Sequence, residues 1–139
     1  NLENTAMLCF AEAQRTEEFL KRNADIKIAV NDIGRKLRSH FCALILFGSY
    51  AKGTQTKSSD VDILLVAENK KAADECERVI SGVSRLSRKP LHAVAVTCND
   101  FMEMAKSKGV NVVNEAIENH IIFNGCEQYY KMLGASDVS

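Results

Sequence analysis

Two apolar runs joined by a polar loop dominate the pattern of the chain. Residues 42–47 (Cys-Ala-Leu-Ile-Leu-Phe) are apolar without interruption, and a run that short bounded by a turn signal reads as a buried strand. The run breaks at Gly48-Ser49 and loops from Lys52 to Ser59. It restarts as a second strand from Asp60 to Val66, whose first outward residues are Asp60 and Asp62. Helical periodicity surrounds this unit. Asn4 or Thr5 is placed to cap a first helix running to about Leu20, with Met7, Phe10, Ala11 and Phe19 available for burial. Ile26, Val30, Ile33 and Leu37 form one apolar stripe of a second helix. Residues 69–86 predict a third helix, with Cys76, Val79, Val83 and Leu86 on one side. Pro90 then opens a strand over 91–97, with Leu91, Ala93 and Ala95 on one face and His92, Val94 and Val96 on the other. Asn99 or Asp100 caps a short helix through Ala105, and Val113, Ile117 and Ile121 at four-residue spacing predict another. Asn124-Gly125 reads as a helix stop, residues 127–133 as a final turn or two, and residues 134–139 as a frayed tail. The sum is an α/β or α+β fold. A small, twisted, mixed sheet carries the Asp60–Asp62 site on one face, with helices on the other and at the ends.

Composition narrows the class. At 139 residues, the chain reads as a single domain, with residues 1–24 as a helical extension and 26–133 as the core and C-terminal helices. Eighteen basic and eighteen acidic residues leave no net charge, which argues against a general nucleic-acid binder working through bulk electrostatics. Arg35, Lys36 and Arg38 lie near the end of the second helix, where cations suit the helix dipole, and are read as such rather than as a phosphate patch. Cys9, Cys42, Cys76, Cys98 and Cys126 are odd in number, widely spaced and mostly within apolar patterns. They read as buried free thiols of a reducing compartment, without zinc spacing. The longest apolar run is far too short to span a membrane and the N-terminus has no signal-peptide pattern, so a cytoplasmic location is expected. The chain starts at Asn1 rather than Met, so it is read as trimmed or as a fragment.

The candidate chemistry lies in the loop. Residues i and i+2 of a strand share a face, so Asp60 and Asp62 bring two carboxylates side by side. Such a pair repels itself unless a cation sits between the carboxylates. Mg²⁺ suits it, since that ion takes oxygen ligands from one or two carboxylates plus substrate phosphates and water. Gly48, without a Cβ, can adopt positive φ and let a phosphate approach the backbone, and the Ser49 hydroxyl adds a donor. Taken alone, a Gly-Ser turn is usually just a turn and an Asp-x-Asp a solvated strand end. In this chain they occur in order between two apolar strands, with ten residues separating Ser49 from Asp60.

That segment resembles the motif of the DNA polymerase β type nucleotidyltransferase superfamily, particularly its minimal and kanamycin nucleotidyltransferase-like members. Phe47, Gly48, Ser49, Ala51, Gly53, Ser59, Asp60, Asp62 and Ile63 carry the likeness over about twenty residues, and a looser likeness in element order extends from about Ile26 to Leu133. The resemblance implies that Gly48 and Ser49 bind a nucleoside triphosphate, with ATP as first candidate, and that Asp60 and Asp62 are catalytic and hold Mg²⁺ or Mn²⁺. It implies transfer of a nucleoside monophosphate to an unknown hydroxyl acceptor. It also implies a third carboxylate on a later strand. Aligning the Pro90-Leu91 strand start places that position at about His92, and no Asp or Glu occurs between Leu91 and Val96. His92 is thus an uncertain third position, since imidazole suits Mn²⁺ better than Mg²⁺ and a lone strand histidine is more often packed or hydrogen-bonded. Asp100, Glu103 and Glu68 are the acids that could reach in instead. Small relatives occur in toxin–antitoxin pairs or behind winged-helix domains. The resemblance thus implies an alternative: a catalytically weak or inactive nucleotide-binding regulatory module, either the antitoxin-like partner of a second protein or the effector domain of a DNA-binding regulator.

Overall fold

A computed structural model describes residues 2–37 and 41–137. The elements, in chain order, are α1 (Leu2–Arg22), α2 (Ala24–Leu37), β1 (Ala43–Phe47), α3 (Ser49–Lys52), β2 (Val61–Ala67), α4 (Lys70–Leu86), β3 (Leu91–Thr97), α5 (Cys98–Lys106), α6 (Val112–Glu118), β4 (Ile121–Asn124) and α7 (Cys126–Asp137). The four strands form one mixed sheet in the order β3-β2-β1-β4. β1 is antiparallel to both β2 and β4, while β2 and β3 are parallel and joined by α4.

The unbroken apolar runs are explained by burial on both faces. Leu44, Leu46, Ile63 and Leu65 pack against Ile26, Val30, Ile33 and Leu37 of α2 and Cys76, Ile80 and Val83 of α4. Ile45, Phe47, Leu64 and Val66 face the other way, onto Phe101 of α5, Val113 and Ala116 of α6, and Tyr129 and Met132 of α7. The expected alternation of β3 holds, with Leu91, Ala93 and Ala95 against the first layer and Val94 and Val96 against the second. Helices therefore cover much of the sheet face that had been expected to carry the site alone.

Several boundaries differ from expectation. The fourth strand is a correction: Val113 and Ile117 lie in or next to α6, which ends at Glu118, whereas Ile121 belongs to β4. Ile121 and Ile122 are buried in opposite layers, which is strand alternation rather than a helical stripe. Gly125 is then a corner, not a helix stop. Its φ is +79°, and a Cβ there would overlap the Cys42 carbonyl oxygen. α7 continues through Asp137, so residues 134–137 of the presumed tail are helical, while 138–139 lie outside the described residues. The cap of α5 is Thr97, whose Oγ1 accepts from the Asp100 N–H at 3.1 Å, rather than Asn99 or Asp100. At the end of α2, Arg35 and Lys36 both pair with Asp32, at 3.3 and 3.5 Å. Arg38 lies outside the described residues.

The N-terminal helix is built into the core. Phe19 of α1 is buried in the first layer and stacks obliquely on Phe123 of β4, with ring centroids 6.3 Å apart. The Thr16 hydroxyl donates to the Ile122 carbonyl at 2.8 Å, bonding α1 to β4. Glu12, 3% exposed, meets Arg15, His120 (2.5 Å) and the Tyr130 hydroxyl (3.3 Å). A carboxylate that deep is tolerable only with such partners.

Candidate active site

The site lies where β1 ends and β2 begins. Gly48 leaves β1 with φ 75° and ψ −152°, a conformation open to glycine and strained for any other residue. It starts the single-turn helix α3, closed at Gly53 in the left-handed region with its N–H donating to the Ser49 carbonyl. A Cβ on Gly48 would overlap Asp62 Oδ2 and lie 3.1 Å from Asp62 Cγ. The Gly48 backbone is thus in contact distance of the second carboxylate, although the two residues are fourteen positions apart in sequence. The β1–β2 register explains this approach, because Asp62 pairs with Phe47, the residue before the turn.

The loop presents Asp60. Thr56 and Ser59 tie its end together: the Ser59 N–H donates to the Thr56 carbonyl at 3.1 Å, and the Thr56 N–H donates to Ser59 Oγ at 2.9 Å. Val61 N–H then donates to the Pro90 carbonyl at 3.0 Å, fixing the start of β2 beside the start of β3. Asp60 is exposed, and no ion pair among the described residues involves it. Asp62 is half-buried, with one partner. Parallel pairing puts His92 next to it, Nδ1 lying 3.2 Å from Asp62 Oδ1. With Asp62 ionised, Nδ1–H is the donor and the mostly exposed ring leaves Nε2 outward.

These residues fit a divalent cation in one respect. No lysine or arginine among the described residues forms an ion pair with Asp60 or Asp62, and two carboxylates are the protein contribution expected at a Mg²⁺ site completed by phosphates. They do not complete a protein-only cage. No group of three His, Cys, Asp or Glu side chains among the described residues is placed to hold a metal. Asp100, Glu103 and Glu68 are no substitutes. They follow the far ends of β3 and β2, roughly 15–20 Å along the strands from Asp62.

One neighbouring contact had no local signal in the sequence. Tyr50 of α3 is buried, and Lys89 donates to its hydroxyl at 2.7 Å, bringing a cation from before β3 to the turn. Beside the C-terminal end of α3 opens a cleft of about 550 Å³ whose lining includes Lys52, Lys108, Asn111 and Asn114.

The cysteines depart from the uniform burial expected of them. Cys76 is buried; Cys9, Cys42, Cys98 and Cys126 are free but half-buried. The Cys98 and Cys42 sulfurs are 3.3 Å apart, one thiol donating to the other. Burial pushes the thiols of Cys76 and Cys98 up to about 11 and that of Cys126 up to about 12.

Comparison with known proteins gives concordant findings. The family model described as "Nucleotidyltransferase domain" matches residues 35–123. The chain is 31% identical over 93 residues to "Putative protein adenylyltransferase MJ0141" of Methanocaldococcus jannaschii, a match covering 63% of this chain and 94% of that protein. It is 49% identical over 43 residues to "Putative protein adenylyltransferase MJ0604" of the same organism, covering 31% of this chain and 43% of that protein. Among solved structures, "Crystal structure of the toxin-antitoxin with AMP-PNP" aligns with a TM-score of 0.51 at 16% identity, over 79% of this chain and 82% of that one. A mutant of the toxin-antitoxin MntA-HpeT aligns equally well, over 82% and 84%. At that identity these two alignments establish a shared fold and nothing more.

Proposed function

Because the chain belongs to the nucleotidyltransferase domain family of the DNA polymerase β type superfamily, we propose that it moves a nucleoside monophosphate from a nucleoside triphosphate, ATP first among the candidates, to a hydroxyl of a protein. One observation carries the reading: the Gly48 turn backs directly onto the Asp62 carboxylate, with Asp60 two residues before it. A phosphate seated on the Gly48–Ser49 turn is then adjacent to both acids. Asp60 and Asp62 are the residues that would hold Mg²⁺ or Mn²⁺, which when bound neutralises phosphate charge. The acceptor oxygen attacks the α-phosphorus and forms the new P–O bond. The bond from that phosphorus to its bridging oxygen breaks, and pyrophosphate leaves. His92, oriented through Nδ1 by Asp62, offers Nε2 to take the hydroxyl proton. The names of the two relatives support a protein as acceptor. Five cysteines, none of them in a disulfide, support a reducing, cytoplasmic setting. No described helix is long and apolar enough to cross a membrane.

A second reading is a nucleotide-binding module with little or no transfer. It is favoured by the histidine standing where the resemblance requires a third carboxylate, and by the lack of a three-ligand group among the described residues. Incubating the protein with each α-labelled nucleoside triphosphate, Mg²⁺ or Mn²⁺, and an extract of the cells that encode it separates the two. Label appearing on protein, lost in Asp62→Asn, supports transfer. Tight nucleotide binding without pyrophosphate release supports the module, and neither binding nor release refutes both.

A further inference from the structure

The acceptor side of the site borders an open sheet edge. β3 ends the sheet, and its even-numbered residues face β2, as the Pro90 carbonyl does in accepting from Val61. The backbone groups of Leu91, Ala93 and Ala95 therefore point outward. Two of these positions are capped by side chains of α4: the Leu91 N–H donates to Ser84 Oγ at 2.9 Å and the Ala95 N–H to Glu77 Oε1 at 3.2 Å. Such caps are the usual guard against unwanted strand pairing. The outward N–H of Ala93, between them, meets no hydrogen-bond acceptor among the described residues. This gap is next to His92. It opens into a groove of about 340 Å³ between α4 and β3, lined by Glu77, Ser81, Ser84, Arg85, His92 and Ala93 among others.

We propose that this groove receives an extended segment of the acceptor protein, which adds to β3 as a fifth strand and pairs with Ala93. The inference rests on the transferase reading above and specifies how its acceptor is held. Backbone pairing at an exposed edge supplies affinity, and alternate side chains supply selection. The register then determines what is presented. A residue pairing with Ala93 is flanked by neighbours whose side chains stand on the His92 face. An added strand lies about 4.8 Å from β3, so a hydroxyl there is within reach of His92, whose Nδ1 is bonded to Asp62. Ser84 and Glu77 hold their donors through side chains that can swing aside, whereas the β2 ladder stays intact. The groove's continuity with His92 favours an acceptor over a second copy of this chain, since strand pairing between two copies would cover the approach to His92.

Two substitutions outside the catalytic residues test the proposal. Ala93→Pro removes the outward N–H and leaves the β2 ladder untouched, the one setting in which proline suits a strand. Ser81→Trp fills the groove from an exposed position of α4. Folding is checked by thermal melting, nucleotide affinity with a fluorescent ATP analogue, and transfer by α-labelled ATP with the cell extract. Both variants are expected to bind nucleotide as the parent does and to label protein about tenfold less, the loss of roughly one or two net hydrogen bonds. Undiminished labelling by a folded Ser81→Trp overturns the docking edge while leaving the transferase reading standing. No labelling by the parent removes both. A parent that dimerises on size exclusion, and a Ala93→Pro variant that does not, would assign the edge to a second copy and overturn the proposal.

Discussion

Gly48 concentrates the physical demands of the site in one residue. Its φ of 75° with ψ of −152° lies in a region essentially confined to glycine and costs another residue about 1–3 kcal/mol, and the space a Cβ needs is already filled by Asp62 Oδ2. Gly48→Ala should lower the melting temperature and weaken nucleotide binding together, with Asp62 displaced. Gly82→Ala, inside α4 with nothing within 4 Å of the added Cβ, should instead add up to about 1 kcal/mol of stability. Parallel melts and nucleotide titrations distinguish a site defect from general fragility. His92 offers a sharper chemical test. His92→Asp exchanges the proposed base for the acid that the resemblance calls for: it should lower transfer with little change in nucleotide affinity, because it acts on interactions made only in the transition state, and raised transfer would show that the position serves a third carboxylate instead. His92→Ala should lower transfer if Nε2 takes the proton, and unaltered turnover would remove it from the reaction. The turn and the two aspartates were legible because their spacing is local. The position of His92 was legible only through the resemblance, by way of the Pro90-Leu91 strand start, and the parallel register then sets it beside Asp62. The Lys89–Tyr50 bond was not, because two residues thirty-nine positions apart meet only after the parallel strands pair.

Elements show where pattern reading succeeds and where it fails. α2 and β3 follow their apolar periodicity closely and α4 does so through Val83, its expected apolar Leu86 being exposed at the helix end, whereas β4 is four residues long and extends a run that reads as the continuation of a helix. A segment that short carries too few positions for its period to be told from its neighbour's. Nor did the sequence reveal how α1 is held, since Met7, Phe10 and Ala11 are exposed and Phe19 is joined in anchoring it by polar contacts of Glu12 and Thr16. Glu12→Ala should destabilise the fold by about 1–3 kcal/mol, because it leaves the half-buried His120 and Tyr130 without their shared acceptor, while the half-exposed Arg15 can turn to water. Thr16→Val should cost about 1 kcal/mol by freeing the Ile122 carbonyl. Denaturant melts measure both, and near-native stability of Glu12→Ala would mean that α1 is only loosely attached. The thiols belong to the same scale, since Cys98 begins α5 and Cys126 begins α7. With their thiols pushed up to about 11 and about 12, Cys98 and Cys126 should react with a thiol reagent at pH 7 far more slowly than free cysteine does. Rapid labelling of either in the native protein would show that its burial is not maintained.

Across the whole molecule, the sheet separates its packed core from the proposed site by position along the strands. Its middle is covered by helices on both faces, while the β1–β2–β3 corner leaves Asp60 and His92 exposed. Asp100, Glu103 and Glu68 follow the opposite strand ends, so substituting them should leave transfer unchanged. Sequence alone could not rank those acids against His92, because distance along a strand counts only once the strands are paired. We propose that residues 2–137 unfold as one cooperative unit, given the anchoring of α1 to β4 and α7. Nucleotide binding should raise its midpoint as mass action requires. The most direct measurement is a calorimetric titration of a non-hydrolysable ATP analogue, with and without Mg²⁺, into the parent and into the Asp60→Asn/Asp62→Asn double variant. Binding that depends on Mg²⁺ in the parent and is lost in a folded double variant is the expected result, and equal, metal-dependent binding by both would contradict the assignment of these two acids.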